Sequence, residues 1–108
     1  MRGGVYGLAA NRSARGHEQQ GRRFAIVVQA TSLEHLSTWL VVPTSTSARP
    51  FSFRPAVELP GGAGETLALC DALSAVDPQV RLGKSIGILP LATMREIDGA
   101  LALLLELD

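Results

Sequence analysis

The run FAIVVQA, residues 24–30, constrains the fold most strongly. It is continuously apolar up to Gln29, rich in Val and Ile, and too short for an ordinary helix. Such a run reads as a central, buried strand. Immediately before it stands GHEQQGRR, residues 16–23, with an imidazole, a carboxylate and two guanidinium groups. Polar and cationic chemistry at the mouth of a buried strand has two readings. One is a solvated loop. The other is a site for a phosphodiester.

The rest of the chain reads as short strands separated by turns. Val5 to Ala9 predicts a first strand, and residues 10–23 a long polar loop of the kind that is functional or disordered. Thr31 to Leu36 predicts a helical turn and Thr38 to Pro43 a further strand. TSTSARPFSFRP, residues 44–55, predicts a second polar, basic loop. Ala56 to Leu59 is a short strand, PGGAGE a turn, and TLALCDAL and KSIGIL two more strands. The final segment differs: Met94, Ile97, Leu101, Leu104 and Leu105 recur at the spacing of one helix face. Thr93 and Glu96 have the form of a capping box. Gly99 inside that helix costs about 1 kcal/mol relative to Ala. Five or six strands and one terminal helix predict a mainly β (α+β) architecture, a small twisted barrel or sheet with the helix packed on it.

The 108 residues fit one domain, residues 1–108, and 46% hydrophobic content supports a real core. No apolar run reaches the roughly 18 residues that span a bilayer. The N-terminus lacks a signal core, and the single cysteine, Cys70, forms no internal disulfide. The expectation is a cytoplasmic protein. A net charge of zero conceals an asymmetry. Residues 1–54 hold seven Arg and two acids, hence +5, and residues 55–108 hold three basic and eight acidic residues, hence −5. Nine of the ten basic residues are Arg, whose planar fork matches phosphate oxygens. A polyanion partner is one reading of that charge, but from charge alone the plainer reading, Arg richness set by genome composition, ranks first.

One Cys and two His (His17, His35) make no spaced metal-ligand set, so no cofactor or metal is expected. There is no P-loop and no nucleophile elbow. RNA cleavage needs less apparatus. The ribose 2′-OH is the nucleophile and lies beside its phosphorus, so a protein need only move protons and stabilise charge. Residues suited to that chemistry lie on the two polar loops: His17, Glu18, Arg22 and Arg23 on the first, and Thr44, Ser45 and Thr46 on the second. Asp71 falls inside the apolar run LALCDAL, where a carboxylate is costly unless paired or at an open edge. Singly, each residue has a plainer reading: an exposed loop histidine, a turn hydroxyl, a structural carboxylate.

Together and in order, these segments resemble the MazF/PemK/Kid family of toxin endoribonucleases. RGGVYGL at 2–8, GHEQQGRRFAIVVQA at 16–30, LVVPTSTS at 40–47, LALCDALSAVD at 67–77 and IGILPLATMREIDGALALLLEL at 86–107 look like its successive motifs. The resemblance covers nearly the whole chain. It implies an SH3-like β-barrel (CcdB/PemK-like) with a C-terminal α-helix, usually a homodimer. It implies sequence-specific, metal-independent cleavage of single-stranded RNA, and a cognate antitoxin whose disordered tail covers the RNA site. By that resemblance Arg23, Ser45, His17 and Asp71 fall on catalytic positions, and Glu18, Gln19, Arg22, Thr44, Thr46, Arg49 and Arg54 are assigned to RNA binding. The chain departs from the pattern at Phe24, where the family has Pro, and at Ser45, where it has Thr. Leu69 and Ser74 stand where members carry Arg.

The rival reading is a non-catalytic binding module or a CcdB-like gyrase-binding toxin, consistent with the apolar end LALLLELD. A gyrase poison has no use for Arg23 beside Ser45, and that pairing discriminates the two.

Overall fold

The structure, a computed structural model, describes residues 1–9 and 23–107. Among the described residues there are seven strands: β1 (Gly4–Leu8), β2 (Phe24–Val27), β3 (Trp39–Ser45), β4 (Ala56–Leu59), β5 (Gly64–Ala68), β6 (Ser74–Val76) and β7 (Leu82–Ile88). A single helical turn, α1 (Pro78–Arg81), precedes β7, and α2 (Leu91–Leu105) closes the chain. Every strand pair is antiparallel, in the order β4-β5-β3-β2-β1-β7, with β6 added alongside β3. The result is mainly β: a curled sheet with a C-terminal helix.

The apolar run at 24–27 behaves as its composition requires. All four residues of β2 are buried. Phe24 and Ile26 face a core shared with Val5, Val42, Val57, Leu59 and the α2 residues Met94, Ile97 and Ala100. Ala25 and Val27 face a second cluster with Val41 and Val76, against which Tyr6, Trp39 and Leu82 pack. Successive side chains of a strand point to opposite faces, so only a continuous apolar run can fill both.

β3 bends the sheet. Its first half pairs β6 through Trp39↔Val76 and Val41↔Ser74, and its last residues pair β5 through Thr44↔Ala68 and Ser45↔Leu67. Pro43 lies between the two partners. Its carbonyl accepts the Leu69 N–H at 2.8 Å on that edge. The N–H that Pro lacks would point at the same gap, where no ladder bond is needed. The curl brings the turn after β4 against β7. A Cβ on Gly87, which has φ +138°, would lie 2.7 Å from the Pro60 Cβ, so this contact requires glycine.

Several boundaries differ from the sequence expectation. β2 stops at Val27 rather than Ala30, β3 runs on to Ser45, and TLALCDAL breaks in two. β5 ends at Ala68, and a 3₁₀ turn at Cys70–Ala72 carries Asp71 before β6 begins. Asp71 is therefore not inside a strand. The Thr93–Glu96 capping box is not used. α2 starts three residues earlier, at Leu91, with Pro90 as N-cap and no side-chain cap. Met94, Ile97, Leu101 and Leu104 pack inward as the periodicity predicts. Leu105, expected on the same face, is 52% exposed. Arg2 ties the helix to the sheet: Nε donates to the Val28 carbonyl at 3.0 Å while Nη2 pairs with Asp98.

Candidate active site

The register of β2 on β3 builds the centre of the site. Ala25 pairs with Pro43, Ile26 with Val42 and Val27 with Val41. Continuing that antiparallel register by two residues sets Phe24 opposite Thr44 and Arg23 opposite Ser45. Directly opposed residues have Cβ atoms about 4.5–5.5 Å apart. The Thr44 hydroxyl fixes this end of the ladder, accepting the Phe24 N–H and donating to the Phe24 carbonyl, each at 3.2 Å. Thr44 is 2% exposed. Both hydrogen-bonding capacities of its hydroxyl face Phe24, so it acts as a clamp rather than as a surface contact. On its other side the Arg23 carbonyl accepts the Leu8 N–H at 2.9 Å. Arg23 thus leaves the sheet from a backbone held by β1 and β3 together.

Two concavities share Phe24 as wall. One, of about 420 Å³, is lined by Arg23, Leu8, Gly83 and Lys84 among others. The other, of about 220 Å³, is lined by Thr44, Ser45, Thr46, Leu59 and Thr66. Ser45 Oγ accepts the Ser47 N–H at 3.2 Å and lies 3.5 Å from Ser47 Oγ, which orients the hydroxyl at the strand end. The Thr66 hydroxyl is buried with no hydrogen-bond partner. A larger concavity, about 500 Å³, lies at Tyr6, Glu34, Trp39 and Asp77 and contains none of the expected residues.

Asp71 faces Arg54. Its two carboxylate oxygens accept Arg54 Nε at 2.9 Å and Nη2 at 2.8 Å, a bidentate pair. The Arg54 hydrogen bond holds the Asp71 carboxyl below its usual value, and burial only partly opposes that. The same bond raises the Arg54 guanidinium. Arg54 is the cation paired with Asp71, while Leu69 and Ser74 beside it carry no charge. Next to it, burial pushes the Cys70 thiol up to about 11, with the Asp71 charge adding to the effect. Cys70 is neutral at physiological pH and is no nucleophile.

The structure therefore brings Arg23, Thr44, Ser45 and Thr46 to one strand end, and joins Arg54 to Asp71 beside it. His17, Glu18, Gln19 and Arg22 lie outside the described residues. Arg49 is exposed on the same loop as Arg54. Sequence reasoning missed Lys84, which enters Arg23's cleft from β7 and carries no motif. It also missed Phe51 and Phe53, although the alternation RPFSFR was a visible signal. Among the described residues no group of three or more His, Cys, Asp or Glu could hold a metal ion, and no helix is long and apolar enough to cross a membrane.

A curled antiparallel sheet with a C-terminal helix is the fold of the solved MazF toxins. Residues 1–105 match the model of the PemK-like, MazF-like toxins of type II toxin–antitoxin systems, and the chain belongs to that family. It is similar to a Mycobacterium tuberculosis protein, Rv3098A, a toxin by name. The two are 37% identical over 102 residues, covering 94% of this chain and 93% of that one. Solved structures of similar fold include a MazE–MazF complex from Deinococcus radiodurans, with TM-score 0.75, 24% identity, and 100% and 97% of the two chains covered. The M. tuberculosis toxin MazF-mt6 gives 0.73 at 19% identity, covering 95% and 98%. A mycobacterial endoribonuclease in complex with its cognate antitoxin gives 0.72 at 24%, covering 100% and 96%.

Proposed function

We propose that this chain is a metal-independent endoribonuclease that cleaves single-stranded RNA at preferred sequences and so inhibits growth from the cytoplasm. The observation that supports the reading is the β2–β3 register, which ends at Ala25↔Pro43 and, continued two residues along the chain, sets Arg23 opposite Ser45, with Phe24 between them bound by the Thr44 hydroxyl. The fork of Arg23 binds the scissile phosphate and stabilises charge as it builds on phosphorus. The Ser45 hydroxyl completes the anion site. The ribose 2′-OH attacks its own phosphorus, and the bond to the 5′-oxygen breaks. His17, on the segment leading into Arg23, moves the protons. Asp71 is engaged by Arg54 and held as the carboxylate, so its part is to position Arg54. Arg22, Arg49 and Arg54 hold the strand by its phosphates. A gyrase-binding surface gives Arg23 and Ser45 no reason to face one another.

The inhibitor of such a toxin is an acidic, partly disordered antitoxin drawn to the +5 half of the chain. The solved relatives bound to MazE or to a cognate antitoxin support that partner. Leu103 and Leu107, 61% and 64% exposed, give a second copy of the chain apolar surface to cover, and the active form is a homodimer.

End mapping of total RNA after incubation with the protein in EDTA tests the reading. Fragments beginning with a 5′-hydroxyl and ending in a 2′,3′-cyclic phosphate are expected. Intact RNA, or cleavage that appears only on adding magnesium, would overturn it.

A further inference from the structure

The loop between β3 and β4, residues 46–55, carries a pair of aromatic rings that the proposed reaction does not use. The Arg54 N–H donates to the Phe51 carbonyl at 2.9 Å and closes a tight turn over Phe51–Ser52–Phe53–Arg54. The rings of Phe51 and Phe53 stack across it, centroids 5.0 Å apart and planes 10° from parallel. Phe53 packs on the core, whereas Phe51 remains 43% exposed. Two guanidinium groups flank the exposed ring: Arg54 Cζ lies 4.9 Å and Arg49 Cζ 5.5 Å from its centroid. Arg54 cannot swing away, because Asp71 holds it bidentately and its Nη1 donates to the Arg49 carbonyl at 2.9 Å. Both ends of the loop are tied to the site. Ser47 donates to Ser45 Oγ, and the Pro55 carbonyl accepts the N–H of Ala68, the residue opposite Thr44.

An exposed aromatic ring held rigid and ringed by fixed positive charge is what a single-stranded nucleic acid needs beside its backbone track. Every base offers a π-face to stack, and the phosphates on either side find arginines. We propose that Phe51 is a stacking platform for one base of the RNA strand that passes Arg23 and Ser45, and that it sets which nucleotide lies at the scissile position. Phe53 backs the ring, Arg49 takes an adjoining phosphate, and Asp71 acts as a positioning residue through Arg54. This inference rests on the endoribonuclease reading.

The test uses the full chain and an RNA oligonucleotide containing a mapped cleavage site. A 2′-deoxy nucleotide at the cleaved position lets the strand bind without reacting, and 2-aminopurine replaces each base in turn. One position should be quenched on binding. Phe51→Leu and Phe51→Met, which keep apolar bulk, should lose that quench, with affinity falling about tenfold. Phe51→Tyr and Phe51→Trp should retain both. With all-ribose RNA, the Leu and Met variants should still cut but with blurred sequence preference. Urea unfolding of each variant establishes that the half-exposed ring is not needed for folding. If Leu and Met variants quench and discriminate like the parent while all forms cut RNA, the platform is wrong and the endoribonuclease reading stands. If the parent cuts no RNA, both fall.

Discussion

The strand end at Arg23 and Ser45 and the loop end at Arg54 and Asp71 are held in different ways. Arg23 is placed by main-chain register: the residues after it pair with β3, its own carbonyl pairs with Leu8, and Thr44 bonds both polar groups of the Phe24 backbone. Arg54 is placed by side chains, through a carboxylate 17 residues away and two phenyl rings. A position fixed by backbone pairing is rigid at little cost, because the sheet must form in any case. A position fixed by an ion pair responds to pH, salt and single substitutions. The expectation is that chemistry depends on the first and substrate preference on the second.

The largest effect is expected at Arg23. Arg23→Ala should slow the chemical step by about a hundredfold or more, the scale for losing one preorganised anion-stabilising donor. RNA affinity should stay within about tenfold, because phosphate contacts are distributed. Arg23→Lys should restore little, since a point charge does not reproduce the fork. Single-turnover rates and binding titrations separate the two quantities. Next in size is the clamp. Thr44→Val removes the side-chain hydrogen bonds to the Phe24 N–H and carbonyl and should destabilise the fold by about 1–3 kcal/mol in urea unfolding. Thr44→Ser keeps the hydroxyl and should lose much less.

At the loop end, Asp71→Asn should leave the rate constant near that of the parent and raise KM several-fold as Arg54 loosens. The sign of its pH dependence follows from the lowered carboxyl. The stabilising contribution of the Asp71 pair is fully present above the unfolded value, about 4, and is lost as pH falls through the still lower folded value. The stability difference between parent and Asp71→Asn should therefore be constant from pH 8 to about 5 and shrink below about 4. A difference that changes between pH 6 and 8 would contradict the assignment. The smallest effect lies away from both ends. A Cβ on Gly99 meets nothing within 4 Å, so Gly99→Ala should stabilise the protein by about 0.5–1 kcal/mol without changing cleavage.

The same contrast explains what the sequence disclosed. β2 was legible because a doubly buried strand writes itself as an unbroken apolar run, and β4 matched residue for residue. The inward face of α2 followed from its 3.6-residue period. β6 was not legible: it is three residues long and continuous in composition with LALCDAL. The break before it is made by Asp71 turning out to meet Arg54, a pairing across 17 residues that no local pattern records. The helix start was misplaced because Pro90 serves as N-cap where a Ser or Thr was sought. At the candidate site, the resemblance already set Arg23 beside Ser45, and the β2–β3 register, continued past Ala25↔Pro43, gives that pairing a backbone basis. Thr44, assigned to RNA binding by the resemblance, is buried, and its hydroxyl bonds both polar groups of the Phe24 backbone, a role that its motif position did not disclose.

The central claim is that Arg23 and Ser45 form a site for a phosphodiester attacked by its own 2′-hydroxyl. The most direct test is a pair of RNA oligonucleotides identical except for one 2′-deoxy nucleotide at the mapped cleavage position, incubated with the protein in EDTA. The account predicts equal binding, with cleavage of the all-ribose strand and none of the deoxy strand. Cleavage of the deoxy strand at the normal rate would contradict it.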